Sequence, residues 1–290
     1  MILTEIPALK ADFIHLLRQC LQRFSSDPML TLIEIPLHHL DGERPGQYQS
    51  AIAHRLCGLF NTSAITIATQ IVAQIQSKTT ESLLFRDKLN SESESVSFTL
   101  QTMPSGMILL ELTDVGLANW LHHITYSSLV ETEKLPASDF QGALFNIQHS
   151  HARCCSLLRR SHQAGLITLT SQTTPTTPIS WQLDWPCPLP WLTATQQLRL
   201  HHPAELALIT QLIKIADYYH MPLSLSDWTQ VAHQLSQAFQ QFYSQCQIWG
   251  IVKHKTPQLA QARLGLVWIT QRLLQSILQE QLNVIAPLEL

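Results

Sequence analysis

Charged residues are scarce in this sequence. Lys, Arg, Asp and Glu make up 13% of its 290 residues, against about a quarter in an average soluble protein. The formal net charge is -3, so the chain lacks the basic excess with which proteins bind nucleic acid nonspecifically. Residues 139–290 hold 9 basic and 7 acidic residues, against 9 and 14 in residues 1–138. Any anion-binding face is therefore expected in the second half.

Long apolar runs, glycine-rich loops and nucleophile motifs are also missing. No stretch approaches the roughly 18 apolar residues of a membrane-spanning helix, and the first residues lack the basic-then-apolar order of a signal peptide. With 9 Gly, phosphate-cradling loops are not expected, and neither G-x-S-x-G nor G-x-x-x-x-G-K-[ST] occurs. The six Cys form no C-x-x-C pair. These absences predict a cytoplasmic protein with reduced thiols and no membrane partner.

The 14 His do not form a metal-binding pattern. Zinc ligands on a helix converge at spacings of three or four residues. Here the histidines occur as neighbours, such as His122 and His123, or two apart, as in His149 and His151. Side chains at those spacings diverge, so we predict no metal and no cofactor.

Hydrophobic spacing divides the chain into two domains joined by a polar connector. Residues 1–128 mix helical and strand-like patterns, including a hairpin around 103–106 and a helix capped by Asp114. The connector is 129–138. Residues 139–290 have helical spacing, interrupted by a Thr-, Pro- and Trp-rich insertion at 166–197. The predicted fold is mainly α, with a small N-terminal α+β domain followed by a helical bundle of four amphipathic helices.

One helix of the second domain carries a polar stripe with two arginines. We expect this helix to begin at Ser138 in a capping box. Its polar face holds, at steps of three and four, Asn146, His149, Arg153, Ser156 and Arg160. An arginine fork binds phosphate bidentately, so the stripe is predicted to contact phosphates, a solvated helix face being the alternative. His151 falls on the apolar side and is predicted to be buried and hydrogen-bonded.

Aromatic residues gather near the end of a later helix. Phe239 and Phe242 lie on its apolar seam and are predicted to pack in the core. Tyr243 falls off that seam, so it is predicted to stack on an unpaired base, the usual mode of binding RNA loops, with core packing as the alternative.

These segments resemble the anticodon-binding, DALR-type domain of arginyl-tRNA synthetases. The run F-N-I-Q-H-S-H-A-R-C-C-S at 145–156 is similar to the family's aromatic-x-x-x-x-x-H-A-R-x-C-S helix. Further matches to H-P-x-E-x-x-L, A-F-x-x-F-Y and A-R-L-x-L follow in order at 202–208, 238–243 and 262–266. The resemblance implies a helical anticodon-binding fold, tRNA as partner, and structural motif residues at His151, Phe239, Phe242 and Arg263.

The first domain resembles the additional N-terminal domain of the same synthetases, with two departures. Residues 46–53 are similar to the family's G-D-Y-x-x-x-x-A helix start, but its tRNA-elbow motif G-[FY]-[IV]-N reads G-M-I-L at 106–109. In synthetases a catalytic Rossmann domain separates the two outer domains, whereas here only 129–138 does so. Neither the H-I-G-H-like nor the K-M-S-K-like ATP-binding signature occurs in the sequence, so arginine activation is not expected.

The sequence predicts a non-catalytic arginyl-tRNA synthetase paralogue that binds the anticodon arm of tRNA, or a tRNA-like RNA. His149, Arg153 and Arg160 would face phosphates, and Tyr243 would stack on a base. The alternative is a protein–protein adaptor that binds no RNA and uses the same scaffold. Its candidate partner-binding residues are Trp181, Trp185 and Trp191, since Trp is enriched at interface hot spots.

Overall fold

The chain forms two compact units. The computed structural model describes residues 6–24, 33–42, 44–77, 97–127, 144–172 and 180–290. One unit is Pro7–Trp120, and the other is Leu121–Leu290 together with Ile6. The predicted connector at 129–138 and the helix start at Ser138 lie outside the described residues.

The N-terminal unit is α+β, as predicted. Its helices are α1 (Leu9–Phe24), α2 (Ile52–Phe60) and α3 (Ala64–Gln76), and its strands are β1 (Leu37–His39), β2 (Gln47–Ser50), β3 (Phe98–Thr102) and β4 (Ile108–Leu112). The strands form an antiparallel sheet in the order β1-β2-β4-β3. The predicted hairpin is confirmed in β3 and β4, where Leu100 lies opposite Leu110. Both of these leucines are buried, so the hairpin contributes to the core.

Helices α2 and α3 bury apolar side chains within the N-terminal unit. Ile52, Leu56, Ile67 and Ile71 are all buried. Within the described ranges no single helix is long and apolar enough to cross a membrane. Helices α2 and α3 taken together reach that length and apolar composition, but they are bent by 112° relative to each other.

Helix α4 (Asp114–Tyr126) begins differently from the prediction. The Thr113 hydroxyl, rather than the Asp114 carboxylate, accepts a hydrogen bond from the Gly116 N–H, at 3.1 Å. Asp114 lies one residue further on, inside the first turn, and pairs with Arg44 at 2.8 Å. A capping side chain must stand just outside the first turn to reach its free N–H groups. The prediction was therefore wrong by one residue.

The C-terminal unit is a helical bundle, which confirms the predicted fold class. Its helices are α5 (Phe145–Gln163), α6 (Pro203–Tyr218), α7 (Leu225–Gln245), the short α8 (Ile251–Lys255) and α9 (Pro257–Ser276), which continues as a π-helical turn at Ile277–Gln281. Capping boxes start α6 at His202 and α7 at Ser224. The apolar faces are buried as their spacing predicts, at Ile147, Cys154, Leu158, Trp228, Leu235, Phe239 and Phe242.

Helix α9 lies at the centre of the bundle and packs closely against Trp191. A Cβ atom at Gly265 would lie 2.4 Å from Trp191 Cη2 and 2.7 Å from Leu189 Cδ1, so only glycine fits there. Trp191 is 3% exposed. The prediction that Trp191 binds a partner is therefore wrong, because its indole fills the core instead of lying on the surface.

The insertion predicted at 166–197 contains a β-hairpin. Strand β5 (Thr168–Gln172) pairs antiparallel with β6 (Ser180–Trp185). Trp181 is half-buried within β6, and Trp185 ends that strand with 50% of its surface exposed. Of the three predicted partner-binding tryptophans, Trp185 is therefore the most accessible.

Candidate nucleic-acid interface

The polar stripe of α5 faces solvent. His149, Arg153 and Arg160 are exposed, as are Asn146 and Ser156 between them. Arg153 and Arg160 are seven residues apart, so two turns of helix separate them by about 10.5 Å along the axis. The helix therefore presents two guanidinium groups at a fixed spacing from a rigid element.

Arg153 is held in place by Tyr243 of α7. Its Nη2 donates a hydrogen bond to the Tyr243 hydroxyl at 2.6 Å, and its guanidinium carbon lies 4.7 Å from the ring centroid. The same ring stacks on buried Phe239, with centroids 6.3 Å apart. Tyr243 remains 37% exposed. The structure thus brings together two residues that the sequence analysis treated separately: Arg153 was predicted to contact a phosphate, and Tyr243 to stack on a base.

Arg160 has an aromatic partner that sequence reasoning missed. Its guanidinium carbon lies 4.7 Å from the Trp249 ring centroid. Trp249 stands in the loop after α7 and precedes Gly250, whose φ of +67° is readily adopted by glycine alone. A residue in a loop does not belong to the hydrophobic periodicity of a helix or strand. The sequence signal for Trp249 was therefore limited to an isolated Trp-Gly pair next to a basic segment.

The Trp249 indole has an unused hydrogen-bond donor. Its Nε1 atom is buried and has no acceptor within the described part of the chain. An unpaired buried donor costs about 1–3 kcal/mol, and such groups in a folded protein call for an explanation. The Trp249 N–H is therefore covered by neighbouring atoms in this structure without a hydrogen bond inside the described residues.

A third pair continues the pattern toward the start of α5. The exposed Phe145 ring stacks on the His149 imidazole, with centroids 6.1 Å apart and planes at 26°. Along the helix the pairs are then Phe145 with His149, Arg153 with Tyr243, and Arg160 with Trp249. We call these six residues the arginine–aromatic face.

The arginine–aromatic face is locally cationic, although the chain is slightly acidic. Helix α5 contains no Asp or Glu, and the sequence has none from Trp228 to Gln279. Helix α8, directly after Gly250, adds Lys253 and Lys255. Cations whose own helix carries no carboxylate attract polyanions through long-range electrostatics. The face therefore combines positive charge with rings that can stack.

His151 lies inside the bundle. Its Nδ1 donates to the Pro287 carbonyl at 2.8 Å, and its Nε2 accepts from the Gln271 amide at 2.9 Å. Both bonds form together only when the imidazole is neutral and protonated at Nδ1. Burial lowers the pKa of His151, although its bond to Pro287 opposes this. His151 therefore stabilises α5 from within and does not point toward a ligand.

A segment near the C-terminus, residues 285–289, lies along α5 and is named here the C-terminal strap. Gln148 Nε2 donates to the Ile285 carbonyl at 2.9 Å, and Arg159 Nη2 donates to the Leu288 carbonyl at 3.0 Å. Arg159 also pairs with Glu289 at 2.9 Å. With His151, three side chains of α5 thus bind three carbonyls of the strap.

The other residues of the sequence motifs are internal. Phe239 and Phe242 are buried in α7, and Arg263 is 9% exposed in α9. Arg263 forms an ion pair with Glu205, the acid of the H-P-x-E motif, at 2.6 Å. These motif positions therefore build the bundle, while the exposed face carries the groups available to a ligand.

The C-terminal unit is thus a helical bundle with a buried histidine in α5 and a cationic, aromatic face on that helix. In a comparison with known families, residues 147–288 match the DALR anticodon binding domain. This region of the chain therefore resembles DALR anticodon-binding domains. The predicted resemblance of the second half to arginyl-tRNA synthetases is confirmed.

Curated relatives point the same way. The chain is similar to the arginine–tRNA ligases of Synechococcus sp. (strain JA-3-3Ab), 30% identical over 154 residues, and of Gloeobacter violaceus, also 30% identical over 154 residues. The ligase of Pelodictyon phaeoclathratiforme is 31% identical over 150 residues. These matches cover 51–52% of this chain and 22–23% of each ligase. No solved structure gives a significant match.

Proposed function

We propose that the C-terminal unit binds tRNA through its anticodon arm, or an RNA of the same shape, on the arginine–aromatic face. The observation that carries this proposal is the pairing of two exposed arginines with two aromatic rings, Tyr243 and Trp249, inside a DALR anticodon-binding domain. Single-stranded RNA loops are bound by such rings together with cations that neutralise phosphates.

Each arginine–aromatic pair offers two contacts to RNA. In the free protein the guanidinium of Arg153 covers one face of Tyr243, and Arg160 covers Trp249 in the same way. When RNA binds, each guanidinium keeps its aromatic contact and donates its remaining N–H groups to a phosphate oxygen, while the exposed part of the ring stacks on an unpaired base. His149 supplies a further donor to a phosphate at the start of the stripe.

We further propose that the chain does not itself activate arginine. The family match lies within the anticodon-binding region, and neither ATP-binding signature of the synthetases occurs in the sequence. On this proposal the protein reads or holds an RNA without acylating it, so addition of ATP and arginine to the protein and tRNA yields no arginyl-tRNA.

The decisive experiment measures how affinity for a transcribed arginine tRNA depends on salt. Each phosphate contact to a single strand contributes about 0.7 to the slope of log K against log salt. The double variant Arg153→Ala/Arg160→Ala should therefore make that negative slope shallower by about 1.4 if each arginine contacts one phosphate. Arg18→Ala removes an exposed cation of α1 and serves as the control. An unchanged slope in the double variant would refute the assignment of these arginines.

A protein adaptor remains the second candidate function because Trp185 is 50% exposed at the end of β6. Exposed tryptophan is a common anchor of protein interfaces. Pull-downs of wild type and Trp185→Ala from the native lysate test this candidate. Loss of a stoichiometric partner in the variant, with no RNA recovered from either, would favour the adaptor.

A further inference from the structure

A buried ion pair ties the Trp249 loop to the helices beneath it. Arg263 of α9 donates from Nε to Glu205 Oε1 at 2.6 Å and from Nη1 to the Gln247 carbonyl. Glu205 is 1% exposed, and its other oxygen accepts from the His202 N–H at 2.8 Å. One guanidinium therefore links the start of α6 to the loop that leaves α7.

The need to fill the core does not explain why Arg263 and Glu205 are buried as an ion pair. Two charges are expensive to bury, and a well-packed apolar pair of similar volume is often equally stable. An apolar pair, however, offers no donor to the Gln247 carbonyl. The bond to this carbonyl is the feature that the buried arginine supplies and that a hydrophobic residue cannot.

The Gln247 carbonyl lies two residues before Trp249. Between them Ile248 is buried, and after them Gly250 turns the chain at a positive φ. The loop is thus fixed at Gln247 by Arg263 and at Ile248 by the core. Its one large ring that reaches the arginine–aromatic face is Trp249, beneath Arg160.

We propose that Arg263 is a positioning residue for RNA binding: it fixes the loop that presents Trp249 to the ligand. This inference rests on the proposed function of the arginine–aromatic face. Arg263 does not touch RNA itself, since it is 9% exposed. Its contribution passes entirely through the placement of the Trp249 ring.

The test is a double-mutant cycle between Arg263→Lys and Trp249→Ala. A lysine retains the charge opposite Glu205, but its single ammonium group lacks the fork that reaches both Glu205 and Gln247. With a transcribed arginine tRNA as probe, Trp249→Ala should weaken binding by about 5-fold to 150-fold, the range for loss of one base–aromatic stack. Arg263→Lys should weaken tRNA binding by a large part of the same factor. In the Trp249→Ala background it should then change affinity by less than about twofold.

If the fold-losses of affinity caused by the two substitutions simply multiplied in the double variant, Arg263 would act independently of Trp249. That result would overturn the proposal. Gly265→Ala is the matched control: it disturbs the same helix at Trp191 and should lower the melting temperature without changing affinity. If Arg263→Lys does not fold, the double variant Glu205→Gln/Arg263→Gln removes the same tether with no unpaired buried charge.

A second readout does not require RNA. The indole N–H resonance of Trp249, identified by its loss in Trp249→Phe, should shift in Arg263→Lys and exchange faster with solvent. An unmoved resonance would refute the positioning role whatever the RNA result. If the wild-type protein bound no tRNA, the proposed function would fail, and the resonance would still report whether Arg263 fixes the loop.

Discussion

The Tyr243 hydroxyl accepts a hydrogen bond from Arg153 at 2.6 Å, while the ring of the same tyrosine lies 4.7 Å from the Arg153 guanidinium. Two contacts from one side chain hold an exposed arginine in a single orientation. An arginine that is already ordered loses less entropy on binding, a saving of about 0.5–1.5 kcal/mol for a flexible side chain. Tyr243 therefore has two separable roles, one of its hydroxyl and one of its ring.

Substitutions at Tyr243 should separate these roles. Tyr243→Phe keeps the ring and loses the hydroxyl, so we expect tRNA affinity to fall by about 0.5–1.5 kcal/mol, because Arg153 must then be ordered on binding. Tyr243→Ala also loses the stack and should cost about 1–3 kcal/mol more. Titration by fluorescence anisotropy measures both changes. Equal affinities of the Phe and Ala variants would show that the ring does not contact RNA.

Stability should depend on pH through His151. Burial lowers the pKa of this imidazole in the folded protein, so below its ordinary value of about 6.5 the unfolded chain binds more protons than the folded one. The contribution of His151 is therefore complete above that pH and declines as the pH falls below it. His151→Asn, which keeps a donor near Nδ1 but does not titrate, should lose less stability between pH 7 and 5. Thermal melts across this range measure the difference, and parallel curves would contradict it.

The tryptophans of the insertion should differ sharply in their effect on folding. Trp191 is 3% exposed and packs on Gly265, so Trp191→Ala should cost about 3–5 kcal/mol of unfolding free energy. Trp185 is 50% exposed, and Trp185→Ala should stay within about 0.5 kcal/mol of wild type. Urea unfolding measures both. A large loss at Trp185 would show that this ring is also structural.

Gly250 should be required for RNA binding because of its backbone conformation. Gly250 and Gly165 both have positive φ, +67° and +69°, and a Cβ on either meets no atom within 4 Å. Each Gly→Ala substitution should therefore cost about 1–3 kcal/mol of stability through backbone strain. Only Gly250→Ala, next to Trp249, should also weaken tRNA binding. Equal affinities of the two variants would contradict a role for the Trp249 loop.

Helical periodicity predicted the bundle well because its helices are amphipathic. The buried side of α5 and the apolar seam of α7 followed directly from spacings of three and four residues. Strand β2 at Gln47–Ser50 was missed, because it is short and adjoins a turn-rich stretch that favours loops. Four residues carry too few alternations to identify a strand.

The candidate site was only partly predictable. Periodicity places Arg153 and Arg160 on one face, but the ring each arginine meets belongs to an element far along the chain. Trp249 was missed for this reason, and Trp191 was assigned to the surface although it is in the core. Likewise Glu205 belongs to the H-P-x-E-x-x-L motif found in the sequence, while its ion pair with Arg263, 58 residues later, depends on helix packing that local sequence does not encode.

The C-terminal strap ties the folding of this unit to the timing of its synthesis. His151 and its partner Pro287 are 136 residues apart in the chain, and Gln148 and Arg159 have partners at similar separations. A ribosome that adds about 5–20 residues per second needs roughly 7–27 s to cover that distance. Throughout this interval the inner side of α5 lacks its final partners. In a nascent chain, α5 must therefore remain without these contacts until residues 285–289 emerge.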